Sequence, residues 1–255
     1  GRALLNVVQY SGLCVPDEAQ ACRFYAGADG RDALECWRPS GEDEENKLVL
    51  AYAGETLFRA LPVKVIVQLL TALLLEYKVI LVSHHARLLT SAVLALVPLC
   101  LPYEVAASVI PMMPRALVRY LDAPMPLVVG LTAPPPADVL ESKDSFFCVV
   151  NLHTAALQAT KPLPAMPDQA QLVRMVEDFI KRAGVPAPPW KGVGSDVRDS
   201  VFATAMSDAQ LSFLSGIFQT HLANLVQDFE RHCISDVGSG TSTTTVFIKE
   251  SFVST

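Results

Sequence analysis

Leu73-Leu74-Leu75-Glu76-Tyr77-Lys78-Val79-Ile80-Leu81-Val82-Ser83 carries the strongest architectural signal in the chain. Ahead of it, Leu57, Phe58, Leu61, Val65, Leu69, Ala72 and Leu73 recur at helical spacing, with Pro62 tolerable near a helix start. At Lys78 the period changes. Lys78–Val82 is short, β-branched and nearly all apolar, the pattern of a strand buried on both faces of a parallel sheet. Ser83 stops that strand and can cap the next element, a helix over roughly His85–Val97 that ends at Pro98. Val105–Ile110 is strand-like, Pro114–Leu121 reads as a short helix opened by proline, and Leu127–Leu131 and Phe146–Leu152 are further apolar runs of strand length. Helices alternating with short buried strands imply crossover connections. The expected fold class is therefore α/β, a mostly parallel sheet flanked by helices.

Outward from this centre the signal weakens. Residues 1–47 read as a connector, with one strand candidate at Ala3–Val8, turns at Gly12, Gly27 and Gly30, and an acidic run, Glu42-Asp43-Glu44-Glu45, that reads as solvated surface. The α/β module spans 48–155. Beyond it Pro162, Pro164 and Pro167 form a stiff linker, and from 156 to 255 helical periodicity dominates, so an all-helical lobe is expected. Leu172, Val173, Val176, Phe179 and Ile180 make one amphipathic stripe there; Leu211, Leu214, Phe218, Leu222, Leu225, Val226 and Phe229 make a longer one. Pro186–Gly194 reads as a loop and Gly238–Thr245 as a mobile linker. The first residues, Gly1-Arg2-Ala3-Leu4-Leu5, read as a cut end within a longer protein.

Composition narrows the function classes. Of 255 residues 51% are hydrophobic and 18% charged, ample apolar surface to offset chain entropy, so the chain is not of the disordered class. A mean hydropathy of +0.34 raises the question of a membrane span. Lys64, Gln68, Glu76 and Lys78 interrupt the first long apolar stretch, and Pro98, Pro102 and Glu104 the second, so no transmembrane segment is expected. A net charge of −6 gives a phosphate backbone little to bind, which argues against nucleic acid as a partner. Cys14, Cys22, Cys36, Cys100, Cys148 and Cys233 lack C-x-x-C spacing and read as free thiols of a reducing cytosol.

No catalytic set assembles from the residues. His84-His85 has no Asp, Glu or Cys at metal-ligand spacing, and Ser83 lacks the flanking glycines of a nucleophile elbow, Leu81 and His85 occupying those places. Gly192-Val193-Gly194 and Gly238-Ser239-Gly240 neither follow a strand nor continue into a phosphate-binding pattern. Glu76 and Asp122 could act as an acid/base pair only if the fold unites them, and Glu76 reads better as a helix end. No cofactor or metal is expected, and the positive reading is one of binding.

Taken in order, Leu57-Phe58-Arg59-Ala60-Leu61-Pro62, Leu73 to Ser83, Leu88-Leu89-Thr90, Pro102-Tyr103, Ile110-Pro111-Met112-Met113-Pro114 and Asp122-Ala123-Pro124-Met125-Pro126-Leu127-Val128-Val129-Gly130 resemble the central module of the DENN domain family. The resemblance covers roughly Leu48–His153. The later helices look like the downstream DENN module, expected to be truncated here, and Val246-Phe247-Ile248-Lys249-Glu250-Ser251-Phe252 resembles its later Val-Phe-x-x-x-x-Phe segment; residues 1–47 would include the end of the upstream module. Two departures stand out. Val105 replaces a usual Trp, and Asn151-Leu152-His153 stands where an Asp-rich strand end is usual.

The resemblance implies a guanine nucleotide exchange factor for Rab-type small GTPases, cytoplasmic and recruited to vesicle membranes, which binds the nucleotide-free GTPase more tightly than the GDP-bound form and so speeds GDP release. Ser83, His84, Arg87, Arg119 and Asp122 are the surface candidates for contact with the GTPase, while Glu76, Pro111, Pro124 and Pro126 read as fold determinants and Gly130 as a backbone bend. Two alternatives within the family are activation of GTP hydrolysis through an arginine, with Arg115 and Arg119 as candidates, and a non-catalytic GTPase-binding scaffold.

Overall fold

The computed structural model describes residues 16–26, 32–141, 146–185, 206–227, 229–237 and 243–247. The expectations at Ala3–Val8, Gly12, Cys14, Gly27, Gly30, Gly192-Val193-Gly194 and Gly238-Ser239-Gly240 lie outside these residues, as does the whole of the expected Pro186–Gly194 loop. Two compact units divide the chain, Gly1–Val49 and Leu50–Thr255.

The first unit departs from the expected connector. Strands β1 (Ala21–Ala26) and β2 (Asp32–Trp37) form an antiparallel hairpin, with Arg23 and Glu35 opposite each other and bonded at 2.9 Å. Alternation of small, charged and aromatic residues gave no clean apolar period, which is why these strands escape a reading by hydrophobicity. The acidic run is the first turn of helix α1 (Glu42–Ala60). Carboxylates there face the unsatisfied amides and positive end of the helix dipole, and Glu44 accepts hydrogen bonds from the backbone amide (2.7 Å) and hydroxyl of Ser40, which lower its carboxyl pKa.

In the second unit Pro62 divides the long apolar stripe. Helix α1 ends at Ala60, helix α2 (Val63–Leu74) starts after Pro62, and the two axes are bent by 117°. Among the described residues no single helix is long and apolar enough to cross a membrane. Val63, Ile66, Val67, Leu70 and Leu73 of α2 are buried, whereas Lys64 faces out. The helix closes with Glu76 in the left-handed region (φ 59°): the Tyr77 amide donates to Ala72 O at 2.9 Å and the Glu76 amide to Leu73 O at 3.0 Å. This turn delivers the chain into β3 (Lys78–Val82), buried at every residue as its composition requires.

Strand β3 is the centre of a five-stranded sheet. Strands β4 (Ser108–Ile110), β5 (Leu127–Leu131), β6 (Phe147–Asn151) and β7 (Leu157–Ala159) complete it in the order β4-β5-β3-β6-β7; the first four are parallel and β7 is antiparallel to β6. Alternation sorts the side chains. Val79, Leu81, Val128, Cys148 and Val150 point into the larger core with α2 and helix α3 (Ala86–Leu96); Ile80, Val82, Leu127, Val129 and Phe147 point into a smaller one, closed by Met113, by Leu121 of the 3-10 helix Arg115–Asp122 and by Val139 of helix α4 (Ala137–Leu140). The sequence expectation for 105–110 shortens to three paired residues.

Gly130 is not a bend. It lies inside β5, where the Ile110–Pro114 turn crosses so closely that a Cβ would collide with Pro111 O and with Leu89. Helices α5 (Gln169–Arg182) and α6 (Asp208–Asn224) come next in the chain, and Leu172, Val176, Leu211, Leu214 and Phe218 share the larger core with the sheet's helices. The lobe is not all helical: β8 (Cys233–Val237) pairs with β9 (Thr243–Phe247), so the end of the expected Gly238–Thr245 linker is strand. The longer stripe likewise outlasts its helix, which stops at Asn224.

Candidate functional site

The sequence candidates fall at two edges of the sheet. Ser83, His84 and Arg87 follow the carboxyl end of β3; Arg119 and Asp122 sit on the 3-10 helix, whose end reaches the amino edge, where Lys78 Nζ donates to Leu121 O at 2.7 Å. Strand β3 separates these edges by roughly 13 Å at the usual rise per residue.

At the carboxyl edge, β3 is flanked by β5 and β6, and the chains leaving β3 and β6 turn in opposite directions, toward β4 and toward β7. Such a switch point opens a crevice between strand ends. Here three imidazoles gather. Ser83 is 1% exposed, a correction to its expected surface position: its amide donates to Leu131 O (3.0 Å), its hydroxyl accepts from the His85 amide (3.0 Å) and lies 3.0 Å from His153 Nε2. The hydroxyl therefore shapes the turn into α3, and His85, without a side-chain cap bond, occupies the cap position. His84 stacks on His153 at 4.3 Å between ring centroids and packs against His85 at 4.0 Å; His85 and His153 are 5.5 Å apart. Burial, then the neighbouring His84 and His85, hold the His153 pKa below the usual imidazole value. Arg87 is exposed on the first turn of α3.

His153 is the member that sequence reasoning missed. It lies 70 residues from Ser83, and only the parallel register of β3 with β6, continued by the Leu152 amide donating to Val82 O at 3.0 Å, joins them. Asn151 Oδ1 accepts from the His153 amide at 2.9 Å and fixes the turn. The one available signal was the departure at Asn151-Leu152-His153 from the resembled family's pattern. A serine hydroxyl 3.0 Å from an imidazole is the beginning of a nucleophile pair. Attack needs an approachable oxygen, and Ser83 is sealed. The pair is structural. Among the described residues no group of three His, Cys, Asp or Glu is placed to hold a metal ion.

The other edge is built differently. On the 3-10 helix Arg119 and Asp122 are exposed beside Tyr120 (64% exposed) and Leu117 (43%). With Met113, Met125, Ile110 and Leu127 these two apolar residues line a cavity of about 320 Å³ along β4. Exposed charge around exposed apolar surface is the composition of a protein-docking face. Lys78 beneath it has its ammonium pKa lowered by burial, opposed by the Asp122 carboxylate.

Comparison with known proteins gives a match to the DENN (AEX-3) domain over residues 9–155. Three fungal proteins named elicitor of plant defense protein 1 are similar over part of the chain. The one from Gibberella zeae is 33% identical over 115 residues, 45% of this chain and 10% of that protein. Those from Fusarium odoratissimum (31% over 115 residues; 45% and 12%) and Verticillium dahliae (32% over 113 residues; 44% and 10%) are alike in extent. The chain thus spans about a tenth of the length of the curated relatives it matches.

Proposed function

Because the chain belongs to the DENN (AEX-3) domain family, we propose that it forms part of a guanine nucleotide exchange factor that promotes GDP release from a Rab-type small GTPase. The family match over residues 9–155 carries this reading. An exchange factor makes and breaks no covalent bond; it binds the nucleotide-free GTPase better than the GDP-bound one, and linkage weakens the nucleotide by the same factor. The switch loops of a GTPase are order–disorder elements and yield to such a surface.

Two features of the molecule support the reading. Its Ser83 hydroxyl, beside His153, is buried, so the exposed chemistry is recognition rather than attack on a substrate. Its 3-10 helix offers Arg119 and Asp122 around Tyr120 and Leu117, a mixed surface that another protein can cover. We assign the GTPase contacts to Arg119 and Asp122 there and to His84 and Arg87 at the carboxyl edge, with Ser83 supporting the latter from below. The reading carries with it a cytoplasmic protein recruited to vesicle membranes.

The test is release of labelled GDP from a panel of Rab GTPases, using a protein extended at both ends. Acceleration of at least about tenfold for one or a few Rabs is expected, and loss of most of it in Arg119→Glu/Asp122→Lys. Faster phosphate production abolished by Arg119→Ala would instead identify an activator of hydrolysis, and binding without a change in either rate a scaffold; both outcomes overturn the exchange reading, as does a panel with no response.

A further inference from the structure

Strands β1 and β2 pair with Cys22 directly opposite Cys36, and both are free thiols, Cys36 exposed and Cys22 half-buried. Residues opposed in an antiparallel ladder project from the same face, so the two thiols are neighbours. The register also fixes their spacing. The Arg38 amide donates to Gln20 O at 3.0 Å, and bonded pairs recur at every second position, which makes Cys22 and Cys36 the next bonded pair. Cα atoms of such a pair are about 5.5 Å apart, a separation that disulfides commonly bridge. The Cβ atoms stand roughly 1 Å further apart than in a relaxed disulfide, so a bond there forms under strain and is readily reduced again. The hairpin is also a place where a covalent tie matters. Its Arg23–Glu35 ion pair is 58% and 55% exposed and contributes little, and a two-stranded sheet is marginal by itself.

We propose that Cys22 and Cys36 are a reversible redox pair, reduced at rest, that locks the β1–β2 hairpin when a low-molecular-weight disulfide such as glutathione disulfide reaches the exposed Cys36. The Cys36 thiolate attacks one sulfur of glutathione disulfide, breaks its S–S bond and releases one glutathione thiolate. The Cys22 thiolate then attacks Cys36 Sγ and expels the second glutathione. Two protein thiols are thereby oxidised to one disulfide and glutathione disulfide is reduced to two molecules of glutathione, which take up the two protons that the protein thiols lose. Cys36 is the entry point because it is exposed, and Cys22 resolves the adduct because the ladder holds it opposite. Cys100 and Cys148 are buried and stay out of the exchange. The pair does not rest on the exchange-factor reading, since it concerns the unit Gly1–Val49 alone.

The test treats the native 255-residue chain with glutathione disulfide, blocks remaining thiols by alkylation and maps the linkages by mass spectrometry. Trypsin is combined with an acid-directed protease, because Asp17-Glu18 must be cut to separate Cys14 from Cys22. A Cys22–Cys36 peptide pair in most molecules, a chain lighter by two hydrogens and full reversal by dithiothreitol are expected. Cys22→Ser should instead retain one glutathione on Cys36, since no resolving thiol faces it. In the oxidised parent the Arg38 amide should exchange about tenfold more slowly than in the reduced one, while the Val129 amide in mid-strand of β5 does not change. Glutathione held on Cys36 of the parent, linkage of Cys36 to any other cysteine or to a second chain, or the mixture of linkages that the urea-unfolded chain gives would each overturn the pair. An oxidised hairpin whose Arg38 amide exchanges no more slowly would overturn the lock.

Discussion

The Glu55 carboxylate accepts a hydrogen bond from the Met206 backbone amide at 3.0 Å, across 151 residues of chain, while its other oxygen takes the Arg59 guanidinium at 2.7 Å one helical turn away. All three residues are buried. The acid thus ties the entry of α6 to α1 and neutralises a buried cation. Removing one partner of a buried ion pair leaves the other desolvated, so Glu55→Ala is expected to lower the unfolding free energy by about 3 kcal/mol. Glu55→Gln, which keeps an acceptor for Met206, should cost less than Glu55→Ala. Urea denaturation of the two variants orders them.

Gly130→Ala places a methyl group against Pro111 O and Leu89. Backbone cannot rotate away as a side chain can, and the Met113 amide donating to Gly130 O at 2.8 Å fixes the crossing turn. A loss of about 2 kcal/mol or more is expected in the same denaturation experiment, the upper part of the range for overpacking.

Glu76 presents the opposite case. A side chain at φ 59° is strained, and helix α5 solves the same ending with Gly184 at φ 74°, whose neighbour Val185 donates to Ile180 O. Glu76→Gly is expected to raise stability by about 1 kcal/mol. A calorimetric melting temperature that falls instead would show that the carboxylate has favourable contacts outweighing the strain.

Cys100 and Cys148 are free and buried, and burial pushes each thiol up to about 12. Both should resist alkylation in the native protein while exposed Cys36 reacts. The unfolded thiol ionises near pH 8.5, so their contribution to stability is complete below that value and declines above it, by about 1.4 kcal/mol per pH unit for each thiol until the folded group ionises. Lys78, with its pKa lowered, contributes a slope of opposite sign. Comparing Cys100→Ala with the parent between pH 8 and 10 isolates the thiol: the variant's stability should fall less steeply.

Much of the sheet was legible because burial on both faces leaves a continuous apolar run: Lys78–Val82 and Leu127–Leu131 are strands over those very residues. The helix over His85–Val97 was likewise readable from its period and from Pro98. Hairpins at Ala21–Trp37 and Cys233–Phe247 were not, since their residues mix polar and apolar without alternation and are paired by their neighbours in the chain. Pro62 was visible, but not the 117° turn it introduces. At the candidate site His84 and Arg87 were found as polar residues past a strand end, and Ser83 was found with the wrong exposure. His153 required knowing that β6 lies beside β3, a fact of topology that no local pattern encodes.

Among the described residues the sheet is bounded by β4 and β7, each three residues long. A strand that short presents only one or two outward amide groups, too few to seed the pairing of another chain, so aggregation by edge growth is blocked at both flanks without a charged guard residue in either strand. The most apolar strand, β3, thus lies two strands in from either border of the sheet, its backbone groups shielded by paired neighbours on both sides.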